Sequence, residues 1–347
     1  MNEIKTNNNE SSKAPFRGLG VFCFGEILLR MSPVLNRKWI NEASIPVYVG
    51  GAELNVATAL AKWELPVMYG TAMPDNYFSK EITTELEEKN IDTSAIHFSG
   101  DRIGLYYLPQ GADLKNAGVI YDRAHSSFAA LQPGMINWDE ALRGCSWFHF
   151  SAISPALNEN AALVCKEVLK AASARGIKIS VDLNYRAKLW QYGKQPEDVM
   201  PELVQYCDVI MGNLWAVESL LGISSPIKSS EGKSAEELVE ATGSSMLQLH
   251  KHYSKASAFA YTFRLQNDYF AVLQHGKQMA ISKKFVIDEV VDRVGSGDCF
   301  MAGLIFGLYH KNQPHDIINF AAAAAVGKLY ETGDATRQTV EQVKARI

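Results

Sequence analysis

The sequence predicts an α/β fold, a mainly parallel sheet covered by helices on both faces. Three observations predict it. From Gly20 onward, short apolar runs of strand length alternate with segments of helical period, the rhythm of successive strand–helix units. The chain has 347 residues, 47% hydrophobic and 21% charged, enough for one large core. Two stretches, residues 37–51 and 104–124, have β character and turn residues but no helical period, so they read as extra strands projecting from the main sheet.

Taken in order, "MNEIKTNNNESSKAPFRG" is polar and lacks a long apolar segment, which reads as a disordered leader over residues 1–17 ahead of one domain over 18–347. "VFCFGEILL" is the first strand, followed by the β stretch "RKWINEASIPVYVGG". Then come the helix "AELNVATALAKW", the strand "VMYGTAM" and the helix "FSKEITTELEEKN". After the second β stretch, "GLYYLPQGADLKNAGVIYDRA", follow the strand "WFHFSA", the helix "NAALVCKEVLKAASARG", the strands "KISVDLN" and "DVIMGN", and the helix "VESLLG". "SSPIKSSEGKSAEE" reads as a polar surface loop. The two β stretches would form a small sheet, a lid able to close on a substrate or to pair with a second copy, giving a homo-oligomer.

Composition excludes several classes. A net charge of −4 without a basic cluster disfavours a nucleic-acid partner and favours a small molecule. The five cysteines are widely spaced, with no Cys-x-x-Cys pair, against both a disulfide framework and a zinc site. Apolar runs such as "VFCFG" and "FAAAAAVG" fall far short of the roughly 20 residues of a membrane span. A soluble, cytoplasmic protein with reduced thiols is expected.

The chemistry concentrates in "VVDRVGSGDCFMAGLIFGLYH", Val290 to His310. A strand-like segment runs into Gly295, Ser296 and Gly297, then Asp298, then a helix apolar on nearly every face. Glycines permit close backbone approach, and a helix N-terminus offers unpaired N–H groups and the positive end of a dipole, together an anion site. A carboxylate beside a bound anion is repelled by it unless it has a task. General base toward a phosphoryl acceptor is one such task; a simple helix cap is the plainer reading of the motif alone.

With "YVGGAELNVATALAKW" placed beside "VDRVGSGDCFMAGL", the chain resembles the ribokinase-like, or PfkB, carbohydrate kinases over almost everything from Val21 onward. "GTAMPDNYFSKEITTELEEKNIDTSAI" resembles a further segment of that family. The resemblance implies a three-layer α/β/α domain with a small β-sheet lid, ATP and magnesium as cofactors, and a monovalent cation as an open question. It implies that Asp298 is the catalytic base and that the N–H groups of Gly295, Ser296 and Gly297 form the anion hole. Gly50, Gly51 and Asn55 would face the sugar; by themselves they read as a strand-to-helix turn. Asp292 would be structural or cation-linked.

Within the family, the chain is most similar to kinases of 2-keto-3-deoxygluconate, which implies that Tyr106, Tyr121, Arg123, Asn184 and Arg186 bind substrate. The two arginines would hold its carboxylate, a group suited to a planar guanidinium fork and absent from a neutral sugar. By itself either arginine reads equally as a surface ion-pair partner, and the tyrosines as packing. Glu26, closing the first strand, is a further candidate.

The nucleotide side departs from the family. Asn213 keeps the first residue of an Asn-x-x-Glu segment, but Ala216 stands where Glu is usual. "YTFRLQNDYF" has no glycine where the family has two, and Arg264 would substitute by side chain. Gly333 marks a late loop on the adenine side. No metal ligand set is legible. Three functions remain in view: a 2-keto-3-deoxygluconate kinase giving the 6-phosphate, a sister kinase of the fructokinase or ribokinase type, and a sugar-binding regulatory protein of weak activity.

Overall fold

The computed structural model describes residues 20–34, 38–110 and 118–347. The expected leader, and the middle of the second lid stretch, lie outside the described residues. The strands are β1 (Gly20–Phe24), β2 (Leu28–Met31), β3 (Val47–Gly50), β4 (Val67–Met73), β5 (Ile91–Asp92), β6 (Ile96–Phe98), β7 (Gly104–Tyr107) and β8 (Ile120–Asp122). They continue as β9 (Cys145–Ser151), β10 (Lys178–Asp182), β11 (Val209–Gly212), β12 (Ala258–Arg264), β13 (Asp268–His275), β14 (Gln278–Ile281) and β15 (Phe285–Val286). The helices are α1 (Ala52–Lys62), α2 (Tyr77–Glu88), α3 (Trp138–Ala141), α4 (Glu159–Ala174), α5 (Pro196–Val204), α6 (Leu214–Leu221), α7 (Ala235–His252), α8 (Ser296–Tyr309), α9 (Pro314–Lys328) and α10 (Val340–Lys344).

The large sheet has the order β14-β13-β12-β11-β10-β9-β1-β4-β5, parallel from β12 to β5 and antiparallel at the β12–β13–β14 edge. Its faces follow from strand alternation. Phe22 and Phe24 of β1 point into one core with Phe148 and Phe150, while Val21 and Cys23 point into the other with Leu54, Ala57 and Phe300. All five residues of β1 are buried, as a strand covered on both faces requires. Each fully buried Phe contributes about 1.5–3 kcal/mol relative to exposure.

The second sheet has the order β3-β2-β7-β8. The apolar run "VFCFGEILL", read from sequence as one strand, is divided at residues 25–27: its first half lies at the centre of the large sheet and its second half in the small one. The chain leaves the large sheet at Gly25, whose N–H still reaches the carbonyl of Gly70 at 3.2 Å. The first lid stretch is strand only over its last residues; Trp39–Asn41 is a single 3-10 turn, its indole stacked on Tyr107. The end of "SSPIKSSEGKSAEE" is helical, because Ser234 caps α7 reciprocally with Glu237.

α8 and α9 lie close together because α9 presents the fully buried alanines 321–325. Ser296 Oγ donates to the carbonyl of Ala325 at 2.9 Å and Cys299 Sγ to that of Ala324 at 3.3 Å, fixing the first turn of α8.

Candidate active site

A cavity of about 970 Å³ opens at the carboxyl ends of β10, β11 and β12, the edge where α/β sheets hold ligands. Asp182, Gly212 and Arg264, the last residues of those strands, lie on its floor. Leu28, Tyr106 and Tyr121, from the small sheet, line one wall. The opposite wall is the 293–297 loop and the start of α8.

Gly295 has φ +79° and caps α8; a Cβ there would collide with the carbonyl oxygen of Asp334, so the turn requires glycine. Ser296 and Gly297 then open the helix, where backbone N–H groups have no intrahelical acceptor and the dipole is positive, a fitting anion site. Asp298 follows in the same turn, buried, with Oδ2 accepting from Asn55 Nδ2 at 2.7 Å. Burial pushes the Asp298 carboxyl up to about 8; the Asn55 hydrogen bond and the charge of Arg186 pull it down, Asp182 and Glu53 push it up.

Asn55 reaches Asp298 because Gly51 starts α1 at φ +140°, where a Cβ would collide with the Glu26 carbonyl oxygen. Asn55 Oδ1 is buried without a hydrogen-bond partner among the described residues. An unsatisfied buried acceptor beside a carboxylate suits a ligand hydroxyl. Arg186 lines the same cavity, half-buried, its Nη1 3.0 Å from the carbonyl of Tyr185. Asn184 also lines it, and its N–H donates to Asp182 Oδ1 at 3.0 Å.

A buried carboxylate, a helix N-terminus and an amide with an unpartnered oxygen thus meet at the carboxyl edge of the sheet, an arrangement that suits phosphoryl transfer. Residues 20–339 match the pfkB family of carbohydrate kinases. The chain belongs to that family. It is 32% identical to the solved 2-dehydro-3-deoxygluconokinase of Thermotoga maritima, with a TM-score of 0.84 over 94% of this chain and 98% of that one. It is 26% identical over 325 residues to the 2-dehydro-3-deoxygalactonokinase of Haloferax volcanii, covering 92% and 94% of the two chains. It is 23% identical over 312 residues to the 5-dehydro-2-deoxygluconokinase of Clostridium tetani, covering 88% and 86%.

In this carbohydrate kinase, several expected site residues sit differently from the sequence expectation. Gly50 and Gly333 do not line the cavity. Gly50 instead lets the Asp334 side chain come against the end of β3, and Gly333 donates its N–H to Asp292 Oδ2 at 3.3 Å. Arg123 lines the cavity, but its Nε and Nη2 lie 2.7 and 2.6 Å from Glu26 Oε2, a buried pair. Two of its three nitrogens therefore face a protein carboxylate, and Glu26, also held by Ser126 Oγ, stays outside the cavity lining.

On the nucleotide side, Asn213 and Arg264 both line the cavity. Asn213 Oδ1 accepts from the N–H groups of Trp215 and Ala216 at 3.1 and 2.9 Å, so this residue is first of all the cap of α6. Glu218 turns outward to Lys228 at 3.0 Å and does not replace the missing Glu. Among the described residues no three His, Cys, Asp or Glu side chains are grouped to hold a metal ion. A magnesium ion fits only as the companion of a nucleotide's phosphates, its usual mode in kinases.

Sequence reasoning missed Arg30 and read Asp334 only as part of the late adenine-side loop. Arg30 is buried, its Nη2 2.8 Å from Asp292 Oδ2 and its Nε 2.7 Å from Asp334 Oδ1, its guanidinium carbon 4.4 Å from the centre of the Tyr48 ring. Tyr106 Oη donates to Asp334 Oδ2 at 3.3 Å. The available signal was a charge in "LLRM" on the same strand face as Leu28.

Proposed function

We propose that this kinase transfers the γ-phosphoryl of ATP to the 6-hydroxyl of 2-keto-3-deoxygluconate. The observation that carries the reading is Arg186 sharing one cavity with Asp298, close enough to lower its pKa. A guanidinium there answers a substrate carboxylate, and the relatives from Thermotoga maritima, Haloferax volcanii and Clostridium tetani are each named for keto-deoxy sugar acids. With Arg123 held by Glu26, the carboxylate role falls to Arg186, and Arg123 shapes the wall beside Tyr121. Asn55 Oδ1 and Asn184 would bind hydroxyls. Asp298 would take the proton of the attacking hydroxyl as the new O–P bond forms and the bond to ADP breaks, with the Ser296 and Gly297 N–H groups bonding the phosphoryl oxygens. Asn213 and Arg264 would meet the nucleotide.

The test is ADP formation with 2-keto-3-deoxygluconate, its galacto epimer, fructose and ribose. Activity confined to the two keto-deoxy acids is expected, the Asp298→Asn variant losing about 10²–10⁴-fold in kcat. Arg186→Ala should raise KM for the acids by about 10–100-fold, the worth of a charged hydrogen bond. Fructose as the best substrate, or an Arg186→Ala enzyme of unchanged KM, sinks the acidic-substrate reading.

The outer face of the small sheet supports a second proposal, that a second copy of this chain covers it. Val47, Met31, Tyr107 and Ile120 form one row across β3, β2, β7 and β8, beside Val49, Leu29 and Leu105. Val47 and Ile120 are 47% and 52% exposed. A contiguous apolar sheet face of this kind is an interaction surface.

A further inference from the structure

Lys328 ends α9 with a side chain that solvent does not reach, 0% exposed. A buried lysine needs a reason, since an ammonium loses its hydration on burial. Its surroundings are acidic. Burial pushes its pKa down, against the charges of Asp292, Glu331 and Asp334. Nζ donates to the carbonyl oxygen of Glu331 at 3.1 Å.

The position matters more than the burial. A Cβ built on Gly295 would lie 3.3 Å from Lys328 Cε, so the lysine stem lies against the turn that presents the anion site. The N–H groups of Val291 and Asp292 donate to the carbonyl of Leu329 at 2.9 and 3.2 Å, tying the segment before that turn to the residue after the lysine. The Glu331 carboxylate is itself held by Thr336 Oγ1 at 2.6 Å and by the N–H of Arg337 at 3.0 Å. The charges of Asp292, Glu331 and Asp334 all act on the Lys328 ammonium, and Arg30 pairs directly with Asp292 and Asp334.

The buried Lys328 ammonium has the Glu331 carbonyl oxygen within hydrogen-bond distance and feels the charges of three carboxylates, and a buried site of that sign also suits a desolvated monovalent metal ion. We propose that the Lys328 ammonium is a resident cation of the phosphoryl-transfer site, fixed behind Gly295, which makes turnover independent of added monovalent cations. Lys328 is a positioning residue: it touches neither acceptor nor phosphate, but holds the 292–297 segment and its electrostatic balance while negative charge gathers on the other side. The effect on rate rests on the phosphotransferase reading above; the cation pocket does not.

The experiment compares the full-length wild-type chain with Lys328→Ala in potassium, ammonium, sodium and choline chlorides at one ionic strength, by ADP formation and by thermal melting. Wild-type kcat and melting temperature should be the same in all four salts. Lys328→Ala should lose about 10–100-fold in kcat, the scale of a group that acts through those touching the reacting atoms, and should recover part of it in potassium or ammonium but not in choline. Its melting temperature should rise in those same two salts, because a cation bound only by the folded state stabilises it. A lysine that merely fills space would give a variant with no preference among cations, and that result overturns the proposal. So does a wild-type chain that potassium activates or stabilises over choline; this arm decides the matter even if Lys328→Ala does not fold. If no acceptor in the panel is phosphorylated while the melting pattern holds, the substrate reading falls and the resident cation stands.

Discussion

At the scale of single residues, the main feature is a buried carboxylate whose charge is disfavoured by desolvation. Burial pushes Asp298 up to about 8. Below that pH the group carries a proton and cannot accept another, so kcat/KM should rise with unit slope toward about pH 8 and then level, kcat/KM reporting the free enzyme. A profile flat from about pH 6 to about pH 9 would contradict Asp298 as base. The linkage runs the other way for stability. Folding favours the protonated form, so the folded state binds one proton more than the unfolded between the ordinary carboxylate range and about 8, and stability falls as pH rises through that window. None of this was readable from "GSGD": the sequence places a carboxylate at a helix start, but desolvation depends on α1 arriving with Asn55 from a distant part of the chain.

At the scale of elements, the small sheet is fastened to the large domain by charge. Arg30 of β2 bonds Asp292 and Asp334, while Arg123, just beyond β8, bonds Glu26. Removing one member of a buried ionic cluster leaves the others uncompensated, at a cost of about 3–5 kcal/mol. Arg30→Met should therefore lower the unfolding free energy by about 3 kcal/mol or more in urea titration. A loss under about 1 kcal/mol would mean that Arg30 behaves as a surface pair. The same variant should weaken catalysis, since Asp292 and Asp334 flank the anion-site turn. The lid was legible as β-rich sequence, yet its boundary was not, because "FCFGEILL" is apolar on both sides of Gly25 and Glu26 and nothing in its periodicity says which sheet receives each half.

At the scale of the whole molecule, the large sheet sets the cavity at the carboxyl ends of its strands and the small sheet walls it from one side, with Val47 and Ile120 of its apolar outer face half-exposed. If a second copy covers that face, sedimentation velocity should find a dimer at micromolar concentration, and Ile120→Lys, placing a charge in the middle of the row, should yield monomers. A wild-type monomer at those concentrations counts against the proposal. Among the described residues no helix is long and apolar enough to cross a membrane, and the five cysteines are free and buried.

The sequence by itself determined the alternation of strands and helices, hence the α/β class, and the local chemistry of the turn at Gly295 to Asp298. Those features depend on periodicity and on backbone freedom, which are properties of neighbouring residues. Only the tertiary structure decided that Arg123 answers Glu26 while Arg186 lines the cavity with Asp298, that Arg30 and Asp334 join the small sheet to the loop after α9, and that Lys328 is buried against the Gly295 turn. A charge takes its function from the partner that compensates it, and for Arg30 and Arg123 those partners lie 304 and 97 residues away along the chain, brought together only by folding.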